Sequence, residues 1–179
     1  MTLLQMDYIK VAQAEGNEAP YSKSDIQECI KHVVDVNWGE KTDIAPDIKM
    51  TMENAGHILG SSSVYMQIGE GRDEHKLLFS GDIKYEKSWL FDAATVRFNK
   101  VDTLVIESTY GGPQSIQPTR HQATQDLQDL IIDTLSRKGK IFCPVFAVGR
   151  SQEVMMAIDE LFKSGKVSPV TVWLDGMIS

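Results

Sequence analysis

Residues 48–68 read IKMTMENAGHILGSSSVYMQI. Ile48, Met50 and Met52 alternate with polar neighbours, and so do Val64, Met66 and Ile68. A period of two sends alternate side chains to one face of a sheet, so both runs are predicted to be half-buried antiparallel strands. Between them Gly56 and Gly60 flank His57, and a serine run follows. Glycine lets a backbone take conformations that other residues resist, or approach a neighbour closely. A histidine that only fills space needs neither, so this strand connection hints at a ligand site.

The pattern extends in both directions. GEGRDEH (69–75) reads as a charged hairpin tip and KLLFS (76–80) as a short buried strand, with Gly81 and Asp82 just past its end. Upstream, residues 2–14 read as a helix with Leu4, Tyr8 and Val11 on one face. YSKSDIQECIKHV (21–33) is a second helix, capped by Ser22 with Asp25 three residues on, and with Ile26 and Ile30 on one face. Downstream, VDTLVIES (101–108) is a continuous apolar strand, as at the centre of a covered sheet. YGGPQSIQP (110–118) is a loop. Thr119 and Gln122 make a capping box for a helix to about Lys138, with Leu127, Leu130, Ile131 and Leu135 inward. KIFCPV (140–145) then reads as a strand, GRSQEVMMAIDELFKSG (149–165) as a helix and PVTVWLDG (169–176) as a strand. That alternation implies a parallel, doubly wound layer. The expected class is α/β, with one domain over residues 1–112 and a second beginning at 113–179.

Composition sets bounds on function. The 179 residues are 42% hydrophobic and 24% charged, as in a soluble globular chain. A net charge of −7 argues against coating nucleic acid by bulk charge. It does not exclude a nucleic-acid enzyme, because a local patch or a bound metal can supply positive field. Cys29 and Cys143 match no metal spacing and suggest a reducing compartment. The start MTLLQMDYIK lacks a signal-peptide pattern, and no run approaches the roughly 20 apolar residues of a membrane span. The cytoplasm is the expected location.

Three polar residues stand at strand ends or connections: His57, Asp82 and Glu107. A histidine can bind zinc through one ring nitrogen. An aspartate can be a carboxylate ligand, and between two metals it bridges them. A glutamate ending a buried strand is costly without a partner or a task. Each residue also has a plain reading: a structural His-Gly turn, a Gly-Asp turn after a strand, a salt-bridged or solvated glutamate. Gly149 opens a helix whose free N–H groups, with Arg150, could attract a phosphate; Arg150 and Glu153 could equally be a helix-cap ion pair.

NAGHILGSS (54–62), FSGDIKYEKSWL (79–90), ESTYGG (107–112) and PVFAVGRSQE (144–153) occur in that order. Together they resemble the β-CASP group of metallo-β-lactamase-fold nucleases, and within it the archaeal homologues of the cleavage and polyadenylation specificity factor (CPSF). The resemblance runs from Thr2 to Met177. It implies part of a metallo-β-lactamase αββα sandwich followed by the start of a β-CASP domain. It implies a zinc-dependent RNA endonuclease or exonuclease acting in RNA 3′-end processing or transcription termination, with two zinc ions, RNA as partner and a homodimeric parent. His57 matches a histidine binding one zinc ion, and Asp82 the aspartate bridging both. Glu107 matches the acidic residue that opens the β-CASP insertion and holds a distant histidine as general acid. The implied reaction is two-metal phosphodiester hydrolysis. Gly149 and Arg150 are the candidate substrate-binding residues.

The family pattern also contains an HxHxDH motif upstream and two further histidines downstream, and the sequence has neither. His32, His75 and His121 read as solvated surface residues. The expectation is therefore a fragment of a longer protein that neither holds two zinc ions nor cleaves RNA alone, and whose apolar sheet is prone to self-association. Two other functions compete. A non-catalytic β-CASP scaffold subunit would be expected to lose the metal residues, which are kept here. A lactamase-fold hydrolase of thioesters or lactams would lack the β-CASP motifs.

Overall fold

The computed structural model describes residues 2–95 and 97–176; Met177, where the resemblance ends, lies outside them. The chain divides into a helical unit up to Asn37 and a larger unit from Trp38 onward.

The first unit is a helix pair, α1 (Thr2–Ala14) and α2 (Lys23–Lys31). The predicted capping box is formed in full: Ser22 Oγ accepts from the Asp25 N–H, and Asp25 accepts from the Ser22 N–H. The buried face of α1 carries Ile9 and Ala12, three residues apart, whereas Leu4, Tyr8 and Val11, read onto one face from the sequence, are exposed. Ile26 fills the α2 side.

The second unit is built on one five-stranded mixed sheet in the order β1-β2-β3-β4-β5. The strands are β1 (Lys41–Ala45), β2 (Ile48–Asn54), β3 (Ser62–Ile68), β4 (His75–Phe79) and β5 (Thr103–Val105). The first three pairings are antiparallel and β4–β5 is parallel. The quoted hairpin pairs in unbroken register from Ile48↔Ile68 to Asn54↔Ser62. Met50 therefore faces Met66, and Met52 faces Val64, which gathers both alternating sets on one face. Strand β1 was not foreseen, because KTDIA has no clear alternation.

Two helices follow, α3 (Arg120–Ser136) and α4 (Arg150–Lys163), and they pack on each other. Thr119 caps α3 by accepting from the Gln122 N–H. Gln122 does not return the bond, since its side-chain amide donates to Asp126 instead. Ile131 is buried and Leu127 and Leu135 are half-buried, but Leu130 is exposed.

The parallel, doubly wound layer expected downstream is not formed among the described residues: 140–145 and 169–176 carry no strand. VDTLVIES is not a central strand either. Only Thr103–Val105 pairs, as the sheet edge, and Leu104, Val105 and Ile106 are exposed. The physical reason is shared. A parallel strand needs a hydrogen-bonding neighbour, and here 140–145 and 169–176 find none, so Phe142 and Trp173 stand about 90% and 88% exposed.

The connection holding His57 is pinned from several sides. The Gly56 N–H donates to Asn54 Oδ1 (2.9 Å), and the His57 and Ile58 N–H groups both donate to Ser61 Oγ. Gly56 has φ 69°, and a Cβ there would meet Lys84 O at 2.7 Å, Ala94 N at 2.8 Å and Asp92 O at 2.8 Å. Gly60 has φ 77° with nothing within 4 Å of a Cβ. Gly56→Ala thus adds a steric clash to backbone strain, whereas Gly60→Ala adds strain alone. Gly60→Ala should cost about 1–2 kcal/mol and Gly56→Ala about 1–3 kcal/mol more, read from urea denaturation followed by circular dichroism. Equal losses would show that the close approach at Gly56 is not tight.

Candidate functional site

The site assembles where β2, β4 and β5 end. His57 lies in the β2–β3 connection, Asp82 three residues past β4 and Glu107 two residues past β5. The Lys84 N–H donates to Ala55 O and the Ala94 N–H to Lys84 O, both at 2.8 Å. Asn54 Nδ2 reaches Asp92 O and Ala93 O. The segment after Asp82 is thereby fastened to the turn that carries His57. Ser63 and Ser80, both buried, join the strand ends through Ser63 Oγ donating to Ser80 O.

His57 Nε2 lies 3.8 Å from Asp82 Oδ2, an ion pair when the imidazole is protonated. Both side chains are reachable by solvent, at 37% and 68% exposure. Glu107 is half-buried and well partnered. Its N–H donates to Ser80 Oγ, and its Oε1 accepts from the Ile83 N–H at 2.9 Å. Hydrogen bonding from the Thr109 side chain, then from the Ile83 N–H, holds the Glu107 carboxyl below the ordinary glutamate range; the Thr109 N–H and the His57 charge act in the same direction against burial. Glu107 is therefore an ionised acceptor beside the His57–Asp82 pair.

Thr109 is a participant that the sequence reading left without a role. The available signal was its position two residues after a carboxylate at a strand end, where short polar side chains bond locally. The other histidines stand apart as expected. His32 caps α2 with Nδ1 on Glu28 O, His75 Nε2 contacts Thr103 Oγ1, and His121 is exposed in the first turn of α3.

Zinc sites take three or four protein ligands. The described residues offer two, His57 and Asp82, while Glu107 is committed to Ile83 and Thr109. Among the described residues, no group of three or more His, Cys, Asp or Glu could hold a metal. The donor set found here does not fit a zinc ion on its own.

Gly149 and Arg150 border this site. Gly149 is the N-cap of α4 with φ 84°, and a Cβ there would come within 3.1 Å of Ile58 Cγ2, one residue after His57. The helix-cap pair is formed: Arg150 Nη1 meets Glu153 Oε2 at 2.9 Å. The other oxygen, Oε1, accepts from Arg120 Nη1 at 3.0 Å. Burial first, then the Arg120 and Arg150 guanidiniums, push the nearby Lys84 ammonium below the ordinary lysine range, ahead of the opposing pull of Glu153 and Glu86.

No protein-family model matches the chain. Curated relatives do. The transcription termination factor FttA of Methanothermobacter thermautotrophicus is 47% identical over 178 residues, which is 99% of this chain. The factors of the same name from Lokiarchaeum sp. and Thermococcus kodakarensis are 44% and 47% identical, again over 178 residues and 99% of this chain. The chain belongs to the FttA family. It spans about 28% of the length of the Methanothermobacter and Lokiarchaeum relatives and 27% of the Thermococcus one. This is the archaeal, CPSF-like β-CASP group to which the four motifs pointed. Among the described residues, no helix of this chain is long and apolar enough to cross a membrane.

The lowered Glu107 pKa sets the sign of an acid effect. A depressed carboxylate contributes stability that is fully present above the ordinary glutamate pKa of about 4.3. That contribution is lost as pH falls through the lower folded value. Glu107→Gln lacks it. The variant should be less stable at about pH 6 and lose less stability on going to about pH 3, as urea midpoints at the two pH values would show. Parallel losses in both proteins would mean that the Thr109 and Ile83 bonds do not favour the ionised form.

Proposed function

We propose that these residues form part of a β-CASP ribonuclease that acts in transcription termination or RNA 3′-end processing. The observation that carries this reading is the meeting of His57, Asp82 and Glu107 at three strand ends, with His57 and Asp82 at 3.8 Å. In this reading residues 1–112 belong to a metallo-β-lactamase αββα domain, and 113–179 open a β-CASP domain whose parallel strands include 140–145 and 169–176. The exposed apolar side chains of those two segments support it, since they suit a covered sheet.

His57 and Asp82 would give two donors to a two-zinc centre whose remaining donors come from outside these 179 residues. When bound, the metals supply Lewis-acid activation of a phosphodiester. The chain's own contributions are narrower. Asp82, fixed next to the His57 turn, offers an open carboxylate. Glu107, kept ionised, can hold a protonated partner in place. Gly149 and Arg150 stand on the substrate side. A second reading is a non-catalytic scaffold subunit, against which the retained His57, Asp82 and Glu107 count.

A segment exchange separates the two. The 179 residues would replace the matching segment of the Methanothermobacter thermautotrophicus factor, with that factor as control. The chimera should bind zinc and cleave single-stranded RNA, and Asp82→Asn or His57→Ala in it should lower cleavage by about 100-fold or more. Undiminished cleavage in both variants, or a chimera without cleavage beside an active control, would favour the scaffold. The isolated chain should show no metal-dependent RNA cleavage.

A further inference from the structure

Arg120 and Arg150 are the first residues of α3 and α4, far apart in sequence. Glu153 brings them together, one guanidinium on each carboxylate oxygen. Its side chain is only 13% exposed, so this is an enclosed bridge rather than a loose surface pair. Each guanidinium spends Nη1 on Glu153 and retains further donors in its fixed fork. Two cations thus share one carboxylate in a chain whose net charge is −7. One carboxylate leaves the two guanidiniums with an excess of one positive charge.

The cluster has a defined place. Gly149, the residue before Arg150, lies against Ile58, one residue after His57. The Arg150 end of the cluster is therefore next to the turn that carries His57. Phosphate oxygens are the ligand that matches several convergent N–H donors and excess positive charge. We propose that Arg120 and Arg150 form a clamp for a phosphodiester of single-stranded RNA, with Glu153 as the positioning residue that sets the two guanidiniums side by side. The choice of RNA rests on the ribonuclease reading above; the phosphate chemistry rests on the cluster itself.

The test uses the 179-residue chain with a chelator present, so that it reads binding alone and does not depend on whether the ribonuclease reading holds. A fluorescein-labelled single-stranded oligoribonucleotide is titrated by anisotropy across a potassium chloride series. The chain should bind at low salt. Arg120→Gln and Arg150→Gln should each weaken binding uniformly across sequences and flatten the plot of log affinity against log salt by about 0.7. Lys163→Gln, at the far end of α4, should leave the slope unchanged. Arg150→Lys keeps the charge and should keep the slope while losing affinity with the guanidinium fork, so the proposal stays testable if Arg150→Gln folds poorly by circular dichroism. No complex at low salt, wild-type slopes in folded Arg120→Gln and Arg150→Gln, or undiminished affinity in Arg150→Lys would overturn the clamp. Replacing chloride by inorganic phosphate at constant ionic strength should displace little RNA. Complete displacement at millimolar phosphate would show a free-phosphate site and overturn the strand reading.

Discussion

The close approach of Gly56 to the backbone of residues 84–94 is the constraint on which the candidate site depends. Asp92, Ala94 and Lys84 crowd the space where a side chain would begin. The bonds Lys84 N–H to Ala55 O and Ala94 N–H to Lys84 O run through the same contact. Together with the Asn54 bonds to Asp92, Ala93 and Thr95, it ties the turn after β2 to the segment after β4. With it, His57 and Asp82 become neighbours although 25 positions separate them in the sequence. The same contact places the Lys84 backbone against the turn that carries His57.

A second layer of order comes from shared acceptors and donors. Ser61 Oγ takes both the His57 and Ile58 N–H groups, and Ser80 Oγ takes the Glu107 N–H. Glu153 serves Arg120 and Arg150 together. In each case one small polar group fixes two pieces of chain. That economy suits strand and helix ends, where backbone groups lack ladder partners.

Local signals in the sequence were readable and held. The period-two runs around His57 gave the hairpin and its facing residues, and Ser22–Asp25 gave a complete capping box. What was not legible depended on partners distant in the chain. Continuous apolar runs such as VDTLVIES and KIFCPV record the burial a strand is suited to, not whether a neighbour is present to supply it. Thr103–Val105 accordingly sits at an edge and 140–145 stays unpaired. Leu4, Tyr8 and Val11 failed differently, because helical spacing names a stripe but not which part of it another helix will cover. For the site, His57, Asp82 and Glu107 were nameable from position. Thr109 and Arg120 were not, since their roles arise from a side chain turning back on its own loop and from two helices meeting.

The unbroken hairpin register has one more effect. Seven consecutive pairs join β2 to β3, and their apolar members share a face. A slip of one residue would turn that face outward, so the nearest tolerable alternative is a shift of two, about 7 Å along the strand. The register therefore leaves residues 55–61 to form the turn that carries His57, and a shift of two would lengthen or shorten that turn in one coarse step.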